Sequence, residues 1–344
     1  MGDKKADYKK TFRTMEGNMK NFLHQLDDCA PQPRAVAGFD FPAYWAELGR
    51  LCDKVGFEGN KVSLAWLSPP LPPAAQLTGL AAGLELACVA LLAAHHGFPA
   101  DGGGLVRTEL SRTVRAVLEA ALAFTRSLAD TVGRKFPANS HPALQTFSAL
   151  SERCEAVKRL PRSNKAACLV RLQEHQEMLR DALSELEQVG SAEFSDDFMD
   201  ESEQWSETDH QIINPSKGLI KTSIVLIKKA SMTMERAGQE DSAEQLAEYD
   251  SALACLDRLS ATVDDLALTL YPPLDWTECK QANETLKNYL EQSLQSLGSQ
   301  HFMQSEEAGK WREFIRKAIL HNFSEIQRVF ITRGLAEIRV SEVS

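Results

Sequence analysis

The chain has 344 residues, of which 43% are hydrophobic and 25% charged, and its 38 Lys+Arg against 48 Asp+Glu give a net charge of -10. This length favours two domains with sizeable cores, and this composition is typical of soluble globular proteins. The negative charge opposes general binding to the nucleic-acid backbone, so we expect no direct contact with nucleic acid. Seven scattered cysteines without a Cys-x-x-Cys pair indicate a reducing compartment.

The first half of the sequence has apolar residues at the three- and four-residue spacings of amphipathic helices. The predicted helices cover about 7–28, 43–67, 77–95, 105–132, 142–160 and 164–189. Gly56 and Gly59 weaken the prediction in the middle of the second helix. The 77–95 helix is the most apolar, and because polar residues interrupt it we predict a buried helix and no membrane span. Ser163 or Asn164 is expected to cap the sixth helix.

Two sets of polar residues in these helices have more than one interpretation. Four arginines of the 105–132 helix suit a phosphate or an acidic partner, but a solvated helix face is the simpler interpretation, which we favour. They are Arg107, Arg112, Arg115 and Arg126. His175 lies on the apolar seam of the sixth helix. We interpret it as a hydrogen-bonded core residue, because no second His or Cys lies one turn away.

The composition changes sharply between residues 191 and 209, where acidic residues alternate with large apolar ones. We interpret this segment as a solvated linker between domains, and the alternative is a docking segment for a basic partner. The candidate partner-binding residues are Phe194, Asp196, Asp197, Phe198, Asp200, Glu201 and Trp205. Ser206, followed by Asp209, fits either a phosphorylation site or a helix capping box.

The second half of the sequence is again helical in pattern. The predicted helices begin, or kink, at Pro215, and then cover about 241–270, 277–297 and 308–332. Sustained period-two alternation does not occur before the tail that follows Gly334. The sequence therefore predicts an all-α protein of two antiparallel helical bundles, with an N-terminal bundle at 1–190, an acidic linker at 191–208 and a C-terminal bundle at 209–344. The apolar seams of these helices are those that a helical bundle buries within one chain, so we expect a monomer.

The sequence contains no recognisable catalytic or metal-binding spacing. Asp264 and Asp265 are the one conspicuous carboxylate pair, but adjacent positions of a helix point about 100° apart and do not converge on one bond. No phosphate loop, nucleophile elbow or His/Cys metal pattern occurs. We therefore predict a non-enzyme with no catalytic, cofactor-binding or metal-binding residues.

Three stretches carry a resemblance to a known family. They are Thr262-Val-Asp-Asp-Leu-Ala-Leu-Thr-Leu-Tyr-Pro-Pro-Leu274, Pro161-Arg-Ser-Asn-Lys-Ala-Ala167 and Trp205-Ser-Glu-Thr-Asp-His-Gln-Ile-Ile-Asn-Pro215. In these the chain resembles the cyclin-D-binding protein family, also described as adaptor- and cyclin-D-interacting and as maternal Id-like proteins. The most specific positions form a structural motif, Asp264, Asp265, Tyr271, Pro272 and Pro273. Residues 1–38 carry no match, and a leucine zipper is not evident.

The resemblance implies an all-helical fold similar to vinculin and talin rod bundles, without enzymatic activity. It also implies binding to D-type cyclins, helix-loop-helix factors or a signalling adaptor, and restraint of retinoblastoma phosphorylation and of the transcription that it releases. A cytoplasmic and nuclear location goes with that role. The alternative hypothesis is a vinculin-like scaffold or adaptor in cytoskeletal or signalling complexes.

Overall fold

The computed structural model describes residues 2–28, 38–68, 70–136, 141–189 and 205–343, and within these ranges the side chains of 2–4 and 334–343 are not considered. All regular elements of these ranges are helical, so the all-α prediction is confirmed. The chain forms two compact units, Met1–Ala167 (unit 1) and Cys168–Ser344 (unit 2). The α-helices are α1 Gly2–Asp28, α2 Phe41–Leu67, α3 Ala74–His96, α4 Gly104–Thr131, α5 Pro142–Val157, α6 Asn164–Val189, α7 Glu207–Ala237, α8 Ala243–Ala254, α9 Leu259–Thr269, α10 Trp276–Leu297 and α11 Glu306–Val343.

Unit 1 is a bundle in which α1 packs against α3 and α4, and α2 packs against α3 and α5. Phe12, Met15 and Met19 of α1 repeat at helical spacing and are fully buried. Gly56 and Gly59 do not interrupt the second predicted helix, because α2 is continuous. A Cβ atom at Gly59 would lie 3.2 Å from Leu150 and 3.3 Å from Phe147, so the missing side chain lets α5 pack closely.

The apolar helix α3 packs within unit 1 against α1, α2 and α4. Its residues Leu77, Leu84 and Leu91 are fully buried, as expected for a core helix. By length and composition alone α3 is also long and apolar enough to cross a membrane, a test that core helices of soluble proteins pass as well.

In unit 2, α7 packs against α10 and α11, and α9 packs against α10. The helix α7 begins at Glu207 and runs through Pro215, so this proline lies inside the helix. The single helix predicted for 241–270 is interrupted between α8 and α9. Two side chains of α10 bind the backbone at this interruption: Tyr289 accepts from Arg258 N at 3.1 Å, and Ser293 donates to Cys255 O at 2.7 Å.

The helix α6 lies almost entirely in unit 2. Cys168 Sγ donates to Tyr249 O at 3.6 Å, and His175 Nδ1 lies 3.1 Å from Ser260 Oγ. The division of the chain after Ala167 therefore differs from the predicted limits of 1–190, 191–208 and 209–344, because the seam of α6 contacts α8 and α9.

Candidate functional site

Exposed carboxylates and apolar side chains of α6 and α9 form one surface of unit 2. Asp264 and Asp265 of α9 are exposed, and Glu185 of α6 is close enough for its charge to act on Asp264. Met178 lies two helical turns before Glu185 on the same side of α6 and is 43% exposed, and Leu268 lies one turn after Asp264 and is 69% exposed. We call these five residues the acidic surface. In the described part of the chain, its three carboxylates form no ion pair, whereas neighbouring acids of α6 do.

Electrostatics show that the Asp264 carboxyl lies in an unfavourable place for a negative charge. Burial raises its pKa, and the negative charges of Asp265 and Glu185 raise it further. A cation brought to this surface would lower the energy of all three carboxylates, so the surface suits a basic partner.

The variant Asp264→Asn is expected to be more stable than the parent chain at pH 7. A carboxyl whose pKa rises on folding costs stability when ionised, so the cost is full above the raised pKa and absent below the unfolded value of about 3.9. We expect a gain of roughly 0.5 kcal/mol in the free energy of unfolding at pH 7. Urea unfolding at pH 7 and at about pH 3.5 measures it, with Asp130→Asn of unit 1 as control. An equal gain at both pH values would contradict the electrostatic cause.

The Tyr271-Pro272-Pro273 stretch forms the corner between α9 and α10. Asp275 follows the corner and caps α10, accepting from Thr277 N at 2.8 Å and from Glu278 N at 3.0 Å. Of the five structural-motif residues, Asp264 and Asp265 lie in the middle of α9, and Tyr271, Pro272 and Pro273 form this corner.

Trp205 lies against the same corner. Its indole Nε1 donates to Leu270 O at 2.7 Å, and Lys217 Nζ lies 4.8 Å from the centre of its ring. The indole N–H therefore has its hydrogen-bond acceptor within the chain. This hydrogen bond holds the residues just before α7 against the end of α9. Two of the three stretches that carry the family resemblance therefore meet at this point.

Ser206 caps α7 in a full capping box. Its side chain accepts from Asp209 N, and the Asp209 side chain accepts from Ser206 N at 2.9 Å. Of the two interpretations of this spacing, the capping box is present, and phosphorylation of Ser206 stays a prediction. The other candidate residues of the acidic segment lie outside the described residues; they are Phe194, Asp196, Asp197, Phe198, Asp200 and Glu201.

The α4 arginines do not form one anion site, because each has its own partner in the chain. Arg107 donates to Pro99 O at 2.8 Å, Arg126 pairs with Glu16 at 3.0 Å, and the other two pair with carboxylates. Those pairs are Arg112 with Glu109 and Arg115 with Asp27.

The cysteines of the described residues are free thiols. Burial raises the pKa of Cys168 to about 12 and those of Cys255 and Cys279 to about 11, so these thiols are protonated and poorly nucleophilic at neutral pH. Across the described ranges, no group of three or more His, Cys, Asp or Glu side chains is placed to hold a metal ion.

Comparison with known proteins gives matches over most of the chain. The family model described as Grap2 and cyclin-D-interacting, N-terminal, matches residues 47–192, and the one described as Grap2 and cyclin-D-interacting, C-terminal, matches 194–295. A Xenopus laevis protein named Cyclin-D1-binding protein 1 homolog is 27% identical over 333 residues, covering 94% of this chain and 98% of the relative. The Homo sapiens Cyclin-D1-binding protein 1 is 24% identical over 314 residues, covering 85% of each chain.

The family descriptions name interacting proteins, so the chain is of the interaction class. The two family models together cover most of the sequence. The chain belongs to the family of Grap2- and cyclin-D-interacting proteins.

Proposed function

We propose that this chain is a non-enzymatic regulatory protein that binds a D-type cyclin. The observation that carries the proposal is the match of both family models, which together run from residue 47 to residue 295. The printed names of the relatives describe proteins that bind cyclin D1. The unpaired carboxylates and exposed apolar side chains of the acidic surface support it, because such a surface suits a partner with basic and apolar residues.

In this proposal the binding restrains cell-cycle progression, by limiting retinoblastoma phosphorylation and the transcription that it releases. Helix-loop-helix factors and a signalling adaptor are further partners, and the protein acts as a monomer in the cytoplasm and the nucleus. The candidate contacts are the acidic surface and the acidic segment that precedes Trp205.

Purified full-length chain is expected to bind purified cyclin D1 with a Kd of micromolar or lower, measured by isothermal titration calorimetry. Charge reversal by Asp264→Lys with Asp265→Lys is expected to weaken binding about tenfold or more, because both changes put a cation where a basic partner contacts the chain. Asp130→Asn, an exposed carboxylate of unit 1, is the control and should leave the Kd unchanged.

Two results would count against this proposal. Absence of binding at micromolar concentrations would remove the cyclin as partner. Unchanged binding by the charge-reversed variant would remove the acidic surface as the contact, while leaving the acidic segment to be tested by neutralising Asp196, Asp197, Asp200 and Glu201.

A further inference from the structure

The helix α3 has an exposed outer side that carries only apolar residues. On its other sides α3 packs against α1, α2 and α4. Six residues of the outer side follow one another at steps of four and three, which brings them into one row along the helix. They are Ala75, Gly79, Ala82, Leu86, Val89 and Ala93. We call them the apolar row, and at 1.5 Å per residue the row is about 27 Å long.

The apolar row is unusual for the outside of a helical bundle. A surface helix normally turns charged and polar residues to the solvent, whereas this row consists of Ala, Gly, Leu and Val alone. Leu86 is 69% exposed and Val89 is 42% exposed. A continuous apolar patch of this kind marks a surface on which another molecule packs.

The spacing of the row fits another helix. Steps of four and three residues are those of the a and d positions of a heptad repeat, which pack against the same positions of a second helix. The first half of the row is small (Ala75, Gly79 and Ala82), and a groove of about 390 Å³ lies beside it. A Cβ atom at Gly79 would meet no atom within 4 Å. Large side chains of a partner helix therefore have room over this half, and Leu86 and Val89 provide large side chains in the other half.

The edge of the row that faces α2 is positively charged. Glu58 of α2 is buried against α3, because a Cβ atom at Gly83 would lie 2.8 Å from its Oε2 atom. Lys54 and Lys61 both pair with this carboxylate at 2.6 Å, and their side chains remain 49% and 42% exposed. Since two ammonium groups share one carboxylate, this edge keeps a net positive charge.

The edge of the row that faces α1 has a different character. Thr11 and Thr78 lie there with their hydroxyl oxygens 3.2 Å apart. The one carboxylate of α3, Glu85, accepts a hydrogen bond from Asn18 of α1 at 3.0 Å. The two edges therefore differ in charge, and a carboxylate of a bound helix is more stable on the α2 edge than on the α1 edge.

We propose that the apolar row is the docking surface for an amphipathic helix of another protein, with large apolar residues at its a and d positions and acidic residues on the edge that faces α2. The apolar residues of the partner cover the row, and its carboxylates lie near Lys54 and Lys61. Phe57 of α2 is 58% exposed and lies 5.5 Å and 5.4 Å from these two ammonium groups, so it extends the apolar contact. The row belongs to unit 1 and the acidic surface to unit 2, so this proposal goes beyond the proposed function.

The test uses two fluorescein-labelled synthetic peptides of three heptads and fluorescence anisotropy. Both peptides have Leu at a and d; one has Glu at e and g, and the other has Lys there, so repulsion keeps each peptide from pairing with itself. The Glu peptide is expected to bind the full chain with a micromolar Kd and the Lys peptide at least tenfold more weakly. The net charge of -10 of the whole chain favours the opposite order, so this result would show local recognition.

Two variants of the row identify the surface. Leu86→Lys is expected to weaken binding of the Glu peptide at least tenfold, because it places a charge in an apolar contact. Leu144→Lys makes the same change at a 40% exposed position of α5 and should leave the Kd unchanged. Gly79→Leu has open space within the chain but fills the room for the partner's side chains, so it should also weaken binding. Thermal melting of the three variants shows that they are folded.

Several outcomes would overturn the proposal. Equal or tighter binding of the Lys peptide would remove the charged edge from recognition. Tighter binding by Gly79→Leu would show non-specific apolar adhesion. A dimer in sedimentation that Leu86→Lys abolishes would make a second copy the occupant, and flotation with phosphatidylcholine–phosphatidylserine vesicles that Leu86→Lys abolishes would make it a lipid surface. No cyclin enters these experiments, so their result is independent of the proposed function.

Discussion

Replacing Phe12 by Ala is expected to destabilise unit 1 by about 4 kcal/mol, the largest effect that we predict. Phe12 is fully buried and meets the Trp66 ring edge-to-face at a centroid distance of 5.0 Å, and Tyr8 meets the same ring at 5.4 Å. Removal of the Phe12 ring loses the favourable free energy of burying its apolar surface and also the aromatic contact with Trp66. It leaves a cavity between α1 and α2. For a unit of this size the melting temperature should fall by roughly 10 °C.

Differential scanning calorimetry measures this effect, and Phe57→Ala is the matched control. Phe57 also lies in a helix of unit 1 but is 58% exposed, with Lys54 and Lys61 on its ring. Its loss should cost less than about 1 kcal/mol. If the two variants melt at the same temperature, α1 is not part of the core.

The helix α1 also shows how residue patterns and family resemblance differ in what they predict. Residues 1–38 carry none of the motifs of the resemblance, and the N-terminal family model begins only at residue 47, although the alignment with the Xenopus laevis relative covers 94% of this chain. Helical spacing of Phe12, Met15 and Met19 nevertheless predicts an amphipathic helix, and these side chains are fully buried. A chain cut at the limit of the family model therefore loses part of its own core.

The interruption between α8 and α9 could not be predicted from the local pattern. Apolar residues from Leu246 to Leu270 keep helical spacing across it, so periodicity alone indicates one helix. The backbone groups at the interruption bind Tyr289 and Ser293 of α10, which are distant in sequence. Tertiary hydrogen bonds of this kind can interrupt a helix that the local pattern favours, and the local pattern does not predict them.

The candidate site was predictable only in part. The pair Asp264 and Asp265 is evident in the sequence, and its position on a helix follows from the spacing of its apolar neighbours. Glu185 lies near the pair only because α6 packs beside α9, and no pattern in the sequence predicts that packing. The composition around Trp205 suggested a residue free for a partner, but its indole N–H binds Leu270 O.

Asn164→Ala is expected to destabilise unit 1 by about 3 kcal/mol, although Asn164 lies at the start of α6. Its fully buried side chain accepts from Leu105 N at 2.9 Å and from Val106 N at 3.1 Å, so it caps α4 from a distant part of the sequence. Alanine leaves these helix-end N–H groups without that acceptor, which costs more than an exposed cap. Ser163→Ala, which removes the local cap on Ala166 N, should cost only about 1 kcal/mol. Asn164→Asp keeps the acceptor oxygen, and urea unfolding of the three variants should rank Asn164→Ala as the least stable. The reverse order for Asn164 and Ser163 would mean that the capping of α4 by Asn164 contributes little to the stability of unit 1.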